Sequence, residues 1–213
     1  MDLEYFKMTA GHCGGFNERF WRKAGKKVES APSVENPNWD PIGRVKRSGF
    51  ANPGSNGLFT DAIGISTTQW RAQSSNVYYG NPDKLMQIYE MTRMRLNRRY
   101  CWSGVNGGLE CGRAYKRVKS SLFEFPGKKF MAMWITGANI GGDSGAPVWD
   151  ERTGKAVGIL SAGADGSKKK CEKIPGGIYW CPVTLVTPLL PFAGKSYPIG
   201  AMQALGVGFV SGL

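Results

Sequence analysis

The residues of this chain best suited to covalent chemistry lie in Gly141-Gly142-Asp143-Ser144-Gly145-Ala146-Pro147-Val148. A serine hydroxyl is a weak nucleophile at neutral pH. To attack a carbonyl it needs a base to take its proton, a carboxylate to orient that base, and donors for the oxyanion that forms. Glycine ahead of the Asp143-Ser144 pair leaves room for a carbonyl and lets the Gly142 and Ser144 amides converge on its developing charge. Gly142 to Gly145 also suit a tight turn between strands, so the base and the carboxylate must decide between the two readings.

The base has one candidate, because the chain contains a single histidine, His12, within Thr9-Ala10-Gly11-His12-Cys13. A lone histidine is more often a buried or solvated residue than a catalyst, and its position upstream of the serine segment is what singles this one out. For the carboxylate, Asp61 opens the short apolar run Ala62-Ile63-Gly64-Ile65, which reads as a buried strand. The competitor is Asp40, flanked by Pro37 and Pro41 with Asn36 and Asn38 nearby, a composition that reads as a loop turn.

With these segments quoted, the chain resembles the chymotrypsin-like serine proteases, and within them the bacterial branch of streptogrisins and α-lytic protease. The order His12, Asp61, Ser144 agrees. Tyr100-Cys101-Trp102-Ser103-Gly104, followed by Gly107-Gly108-Leu109-Glu110-Cys111-Gly112, is similar to that branch's disulfide hairpin. Ala156 to Gly163 and Gly176-Gly177-Ile178-Tyr179 resemble the strands that wall the specificity pocket. The likeness runs from Tyr5 to Pro182 and is poor from Phe16 to Gly54.

This resemblance implies an all-β fold of two packed six-stranded antiparallel Greek-key barrels. The first, residues 1–85, would carry His12 and Asp61; the second, residues 86–213, would carry Ser144 and the pocket. The implied activity is that of a secreted, monomeric serine endopeptidase acting on protein or peptide substrates through an acyl-enzyme, without cofactor or metal. Gly142 and Ser144 would form the oxyanion hole, and Ser161, Ala162 and Gly163 would pair with the substrate backbone as an added strand. Counting back from Ser144 puts Ala138 at the pocket floor, with Gly163 and Gly177 as walls. A neutral floor favours Phe, Tyr, Leu or Met before the cut over Lys or Arg, and Asp165 is the nearby acid able to reverse that preference.

The family pattern also requires a positive partner for buried Asp143. Relatives often carry an arginine after the first hairpin cysteine; here that residue is Trp102, so Arg98 or Arg99 is expected to substitute. The resemblance pairs Cys101 with Cys111, and Cys171 with Cys181 would close a second loop. Cys13 would then lack the upstream partner it has in the family, and His12 lies so near Met1 that the first hairpin of the N-terminal barrel is not encoded. The expectation is a first barrel incomplete at its N-terminus, with that segment and any signal peptide lying upstream. A catalytically silent protein of the same fold, binding peptides or surfaces, is the alternative, and an esterase using the same nucleophile is a weaker one.

Composition bounds the elements that must position these residues. The chain has 213 residues, enough for one compact unit or two small barrels with a real core. Short strands with turn signals dominate, as in Met131 to Thr136 and Val157 to Leu160, and 30 glycines and 12 prolines punctuate them. Pro82 to Arg95 fits a helix or a strand equally, and Ala201 to Leu205 reads as a helix fragment. The net charge of +12 comes from 28 basic and 16 acidic residues and attracts anionic polymers at long range. The aromatics are not interleaved with the basic clusters, so nucleic acid is not an expected partner. One histidine and paired cysteines leave few metal ligands, and no apolar run reaches membrane-spanning length.

Overall fold

Apolar alternation broken by glycine and proline gives an almost wholly β structure. A computed structural model describes residues 6–23, 28–30, 39–51, 53–54, 57–67, 76–79, 81–88, 90–122, 125–166, 170–192 and 200–206. The first sheet comprises β1 (Phe6–Thr9), β2 (Arg19–Lys23), β3 (Val28–Ser30), β4 (Trp39–Ser48) and β5 (Ile63–Ser66). They lie in the order β1-β5-β4-β2-β3, all antiparallel, and curl into a half-barrel. The hairpin β6 (Asn76–Tyr79) and β7 (Asn81–Gln87) stands apart from it.

The second sheet contains β8 (Arg99–Gly104), β9 (Gly108–Leu122), β10 (Phe125–Ile140), β11 (Pro147–Asp150), β12 (Ala156–Ala164), β13 (Glu172–Lys173) and β14 (Tyr179–Pro188). Its order is β10-β9-β8-β11-β12-β14-β13, and β10 also pairs with β14. That extra pairing closes six strands into a barrel, with β13 outside it. The all-β two-barrel expectation therefore holds, and the first barrel is an open five-stranded sheet among the described residues. No described helix is long and apolar enough to cross a membrane.

Two local expectations change. Pro82 lies on a strand, β7, so the ambiguous segment begins as β structure, and Ala201–Leu205 is the one α-helix described (α1). Asp40 is not in a loop: it lies on β4, opposite Arg22 of β2. Pro41 is tolerated in that strand beside a register shift, where one ladder position is already irregular.

Inward-facing residues of the closed barrel make a core of Tyr100, Trp102, Met133, Ile135, Val148 and Leu160, all at most 1% exposed. The half-barrel buries Phe20, Val45, Ile63 and Ile65. A third cluster joins the two, with Phe50 and Phe59 from the first unit packed with Leu122, Phe130 and Leu185 of the second. Two disulfides add covalent ties: Cys101–Cys111 across directly opposed residues of β8 and β9, and Cys171–Cys181 onto β14, while Cys13 is free.

Lys128, on β10, spans the junction. Its Nζ donates to the Phe50 carbonyl at 2.6 Å and lies 4.3 Å from the Phe50 ring centroid, 5.3 Å from Phe59 and 6.0 Å from Phe125. A half-buried ammonium over aromatic faces stabilises by about 1–2 kcal/mol. Lys128→Ala is expected to lower unfolding free energy in urea by that amount, with Lys128→Arg retaining most of it. A change below about 0.3 kcal/mol for the alanine variant would show the cluster to be incidental.

Candidate functional site

Antiparallel pairing explains why residues 49 positions apart meet. Thr9 at the end of β1 lies opposite Ile63 at the start of β5, so the segment leaving β1 and the segment entering β5 emerge at one end of the strand pair. His12 sits in the short 3-10 turn Gly11–Cys13 that follows β1, and Asp61 lies two residues before β5. Asp61 is fully buried. Its Oδ1 accepts the His12 backbone N–H at 2.9 Å, and its two oxygens lie 3.1 and 3.0 Å from Nδ1 of the ring. Three contacts to one carboxylate fix both the backbone and the ring, which puts the Nδ1 proton on the Asp61 side and leaves Nε2 facing away.

Burial of the imidazole lowers its pKa, but the hydrogen bonds to Asp61, with a further contribution from Cys13, outweigh that and carry it from 6.5 up to about 10. The Phe50 ring stands edge-on to the imidazole at 6.5 Å. It links the histidine to the inter-barrel cluster.

Ser144 lies in the turn between β10 and β11. Gly145 N–H donates to Leu160 O at 2.8 Å and Leu160 N–H to Ala146 O at 2.9 Å, which docks the turn on β12. The same turn abuts the first unit: a side-chain carbon built on Gly145 would lie 2.0 Å from Thr9 Oγ1 and 3.4 Å from Ala10 N. Only glycine allows this approach, and it brings Ser144 beside the segment that carries His12. The Ser144 hydroxyl donates to Ser161 O at 3.1 Å. Among the described residues it has no hydrogen bond to the imidazole.

The amides of Gly142 and Ser144 donate to no acceptor among the described residues, whereas Gly141, Asp143, Gly145 and Ala146 all use theirs. Gly142 has φ +96°. Two unpaired N–H groups flanking Asp143 are the arrangement an anionic oxygen would satisfy.

Asp143 itself corrects the sequence expectation. It is 2% exposed, and neither Arg98 nor Arg99 reaches it: Arg99 pairs with Glu151 at 2.7 Å. Instead its oxygens accept Asn106 N–H at 2.8 Å, Gly107 N–H at 3.1 and 3.2 Å, and Ile140 N–H at 3.2 Å. A side-chain carbon on Gly104 would lie 2.1 Å from the carboxylate, so the β8–β9 hairpin wraps it too closely for anything larger. Backbone donors replace the cation.

Around the expected pocket the placements are mixed. Ser161 is buried, with its Oγ 2.7 Å from Thr187 Oγ1, while Ala162 and Gly163 continue β12 past the end of its pairing with β11 and leave one strand edge open beside Ser144. Gly163 packs on Cys181 and on the Asn139 side chain. Ala138 is half-buried in the irregular stretch of β10 between Thr136 and Asn139. Gly177 lies in an exposed turn between β13 and β14 at φ +80°, and Ile178 is the residue that meets Gly141. Asp165 is exposed and accepts the Cys171 N–H at 2.7 Å. Asn139, which the sequence did not single out, is 4% exposed with its Nδ2 buried and unpaired. An isolated asparagine carries no sequence signal for such a place.

No family model matches this chain, and no curated protein sequence matches it. Solved structures do. Thermobifida fusca protease A is similar at 22% identity over 86% of this chain and 85% of that one, with a TM-score of 0.56. Cellulomonas bogoriensis chymotrypsin gives 22% identity over 82% and 76% at 0.53, and Nocardiopsis protease 19% over 84% of each at 0.55. This chain has the chymotrypsin-like fold of bacterial serine proteases. At these identities the likeness carries the fold, and the activity rests on the site.

The dyad makes its own prediction, readable because the chain has one histidine. Its ring resonances should titrate well above 6.5, toward about 10, and Asp61→Asn should lower the midpoint clearly, since burial is then opposed by Cys13 alone. A group whose folded pKa is raised contributes stability in full below its unfolded pKa. The pair's contribution is therefore complete below pH 6.5 and lost as pH rises through about 10. A wild-type midpoint at or below 6.5 would contradict the geometry.

Proposed function

We propose that this chain is a secreted serine endopeptidase, with Ser144 as nucleophile, His12 as general base and acid, and Asp61 as the orienting carboxylate. The observation that carries the reading is the His12 ring held through Nδ1 by a fully buried carboxylate, together with a serine turn whose Gly142 and Ser144 amides are unpaired among the described residues. In the reaction, Ser144 Oγ leaves the Ser161 carbonyl and bonds to the substrate carbonyl carbon as neutral His12 takes its proton. The Gly142 and Ser144 amides then hold the oxyanion, and His12 gives the proton to the departing amine. Water releases the acid by the same steps in reverse roles. The open edge of Ala162 and Gly163 supports recognition of the substrate backbone as an added strand. Two disulfides support export to an oxidising compartment.

The Ser144–Ser161 hydrogen bond favours the second reading, a silent member of the fold that binds peptides or surfaces. Labelling decides between them. A fluorophosphonate should modify the wild type on Ser144 and leave Ser144→Ala and His12→Ala unlabelled, and both variants should lose peptide hydrolysis. Asp61→Asn should remain folded and be slowed by about 10⁴. An unlabelled, folded wild type would establish the silent reading.

The segments expected to form the pocket offer Asn139, whose amide Nδ2 is buried and unpaired, and the neutral Ala138, while among the described residues the nearby acid Asp165 accepts the Cys171 N–H. Burying a cation without a counter-ion costs several kcal/mol. Peptides differing only in the residue before the cut should therefore show higher kcat/KM for Phe, Tyr, Leu or Met than for Lys or Arg. Preference for a basic residue would show that an acid does reach the pocket.

A further inference from the structure

Residues 140–143 form a hydrogen-bonded β-turn in which Asp143 N–H donates to Ile140 O at 3.0 Å. Gly141 and Gly142 are its central residues, and φ +96° at Gly142 is the value a type II turn requires at its third position. A type I turn spans the same ends with the central peptide rotated by about half a turn and a negative φ there. Between two glycines little steric resistance opposes that rotation. The choice matters, because the central peptide carries the Gly142 N–H.

One side chain among the described residues hydrogen-bonds to this peptide from outside the turn. Asn106, exposed in the loop between β8 and β9, donates from Nδ2 to Gly141 O at 2.7 Å. In a trans peptide the C=O and N–H point in opposite directions, so fixing Gly141 O on one side fixes the Gly142 N–H on the other. The contact is close: a side-chain carbon on Gly142 would fall 2.4 Å from Asn106 Nδ2. Asn106 is anchored in turn by its own backbone N–H on Asp143 Oδ1 at 2.8 Å. One residue thus grips the carbonyl before Gly142 and the carboxylate after it.

We propose that Asn106 is a positioning residue that selects the type II form of the Gly141–Gly142 peptide and so aims the Gly142 amide at the oxyanion. This rests on the endopeptidase reading of the site. The hairpin supplies the orientation twice over, by backbone donors to Asp143 and by a side-chain donor to Gly141. Only the second is specific to asparagine.

The test uses Asn106→Ala, which deletes the donor, and Asn106→Asp, which keeps the shape and turns an acceptor toward Gly141 O. Both keep the backbone N–H that holds Asp143. With Tm and near-UV circular dichroism like wild type, KM should change less than about 3-fold while kcat falls about 10²-fold, the loss expected for one oxyanion donor. A peptide aldehyde, which forms an oxyanion on Ser144, should bind about 10²-fold more weakly, whereas the same peptide with its scissile carbonyl reduced to methylene should bind as before. Equal weakening of both ligands, or a kcat loss below about 3-fold, would overturn the assignment.

Failure of the underlying reading looks different. If wild type takes no fluorophosphonate, the endopeptidase proposal falls, and a crystal structure of Asn106→Asp on the Ser144→Ala background still decides the role of Asn106. A rotated Gly141–Gly142 peptide there upholds the selection of the turn, and an unchanged type II turn refutes it.

Discussion

A carboxylate buried with no cation beside it among the described residues is the constraint from which the rest of the site follows. Asp143 is almost fully enclosed, and removing such a charge from water costs several kcal/mol unless donors replace the lost hydration. Four hydrogen bonds from three backbone amides do so, two of those amides from the β8–β9 hairpin and one from Ile140. The serine turn is thereby built onto that hairpin. The Cys101–Cys111 disulfide locks the hairpin's strands at opposed positions, holding the donors in register. Because no cation is needed there, the residue after Cys101 is free to serve the core. Trp102 does so, 1% exposed, with its ring against Gly137 of β10.

The other half of the site belongs to a different sheet, and alignment across the junction is a separate requirement. His12 and Asp61 are brought together by the β1–β5 register. Their relation to Ser144 depends on the Gly145 approach to Thr9 and on the apolar cluster through Phe50, which touches the imidazole at one face of its surroundings and Lys128 at another. Phe59 reinforces this by bridging to Phe130, with its N–H donated to Lys129 O at 2.9 Å. Packed interfaces of this kind transmit small displacements instead of absorbing them. A change at the junction would therefore reach the histidine before it reached the serine turn, which is held within its own barrel.

What could be read from the sequence was what local chemistry determines. The serine turn announced itself by glycines whose lack of a side chain is a local property, and the lone histidine left no search to make. Asp61 was preferred to Asp40 because it opens an apolar run, and the structure buries Asp61 against the ring. Asp40 lies in a strand and not a turn: its flanking prolines point to a loop, but Pro41 sits beside the register shift between β2 and β4, where a strand tolerates proline. The partner of Asp143 was sought among side chains, yet backbone amides have no sequence identity, so no residue type could have revealed them. Asn106 and Asn139 were missed for the same reason: what distinguishes them is where their amides point. Gly177 was assigned to a wall by likeness to a neighbouring strand, and a positive φ puts it in the turn instead.

The resting hydroxyl and the charge on His12 are linked by elementary hydrogen-bond chemistry. Asp61 raises the imidazole pKa and so favours its charged form, and an imidazolium has two donors and no lone pair to accept a serine proton. A hydroxyl beside it must donate elsewhere, and the Ser161 carbonyl, already held on β12, is within reach at 3.1 Å. The Ser144 hydrogen bond to Ser161 O is thus compatible with a charged ring. Loss of the ring proton restores an acceptor at Nε2. The unpaired Gly142 and Ser144 amides flank Asp143, which the β8–β9 hairpin holds independently of the charge on the ring.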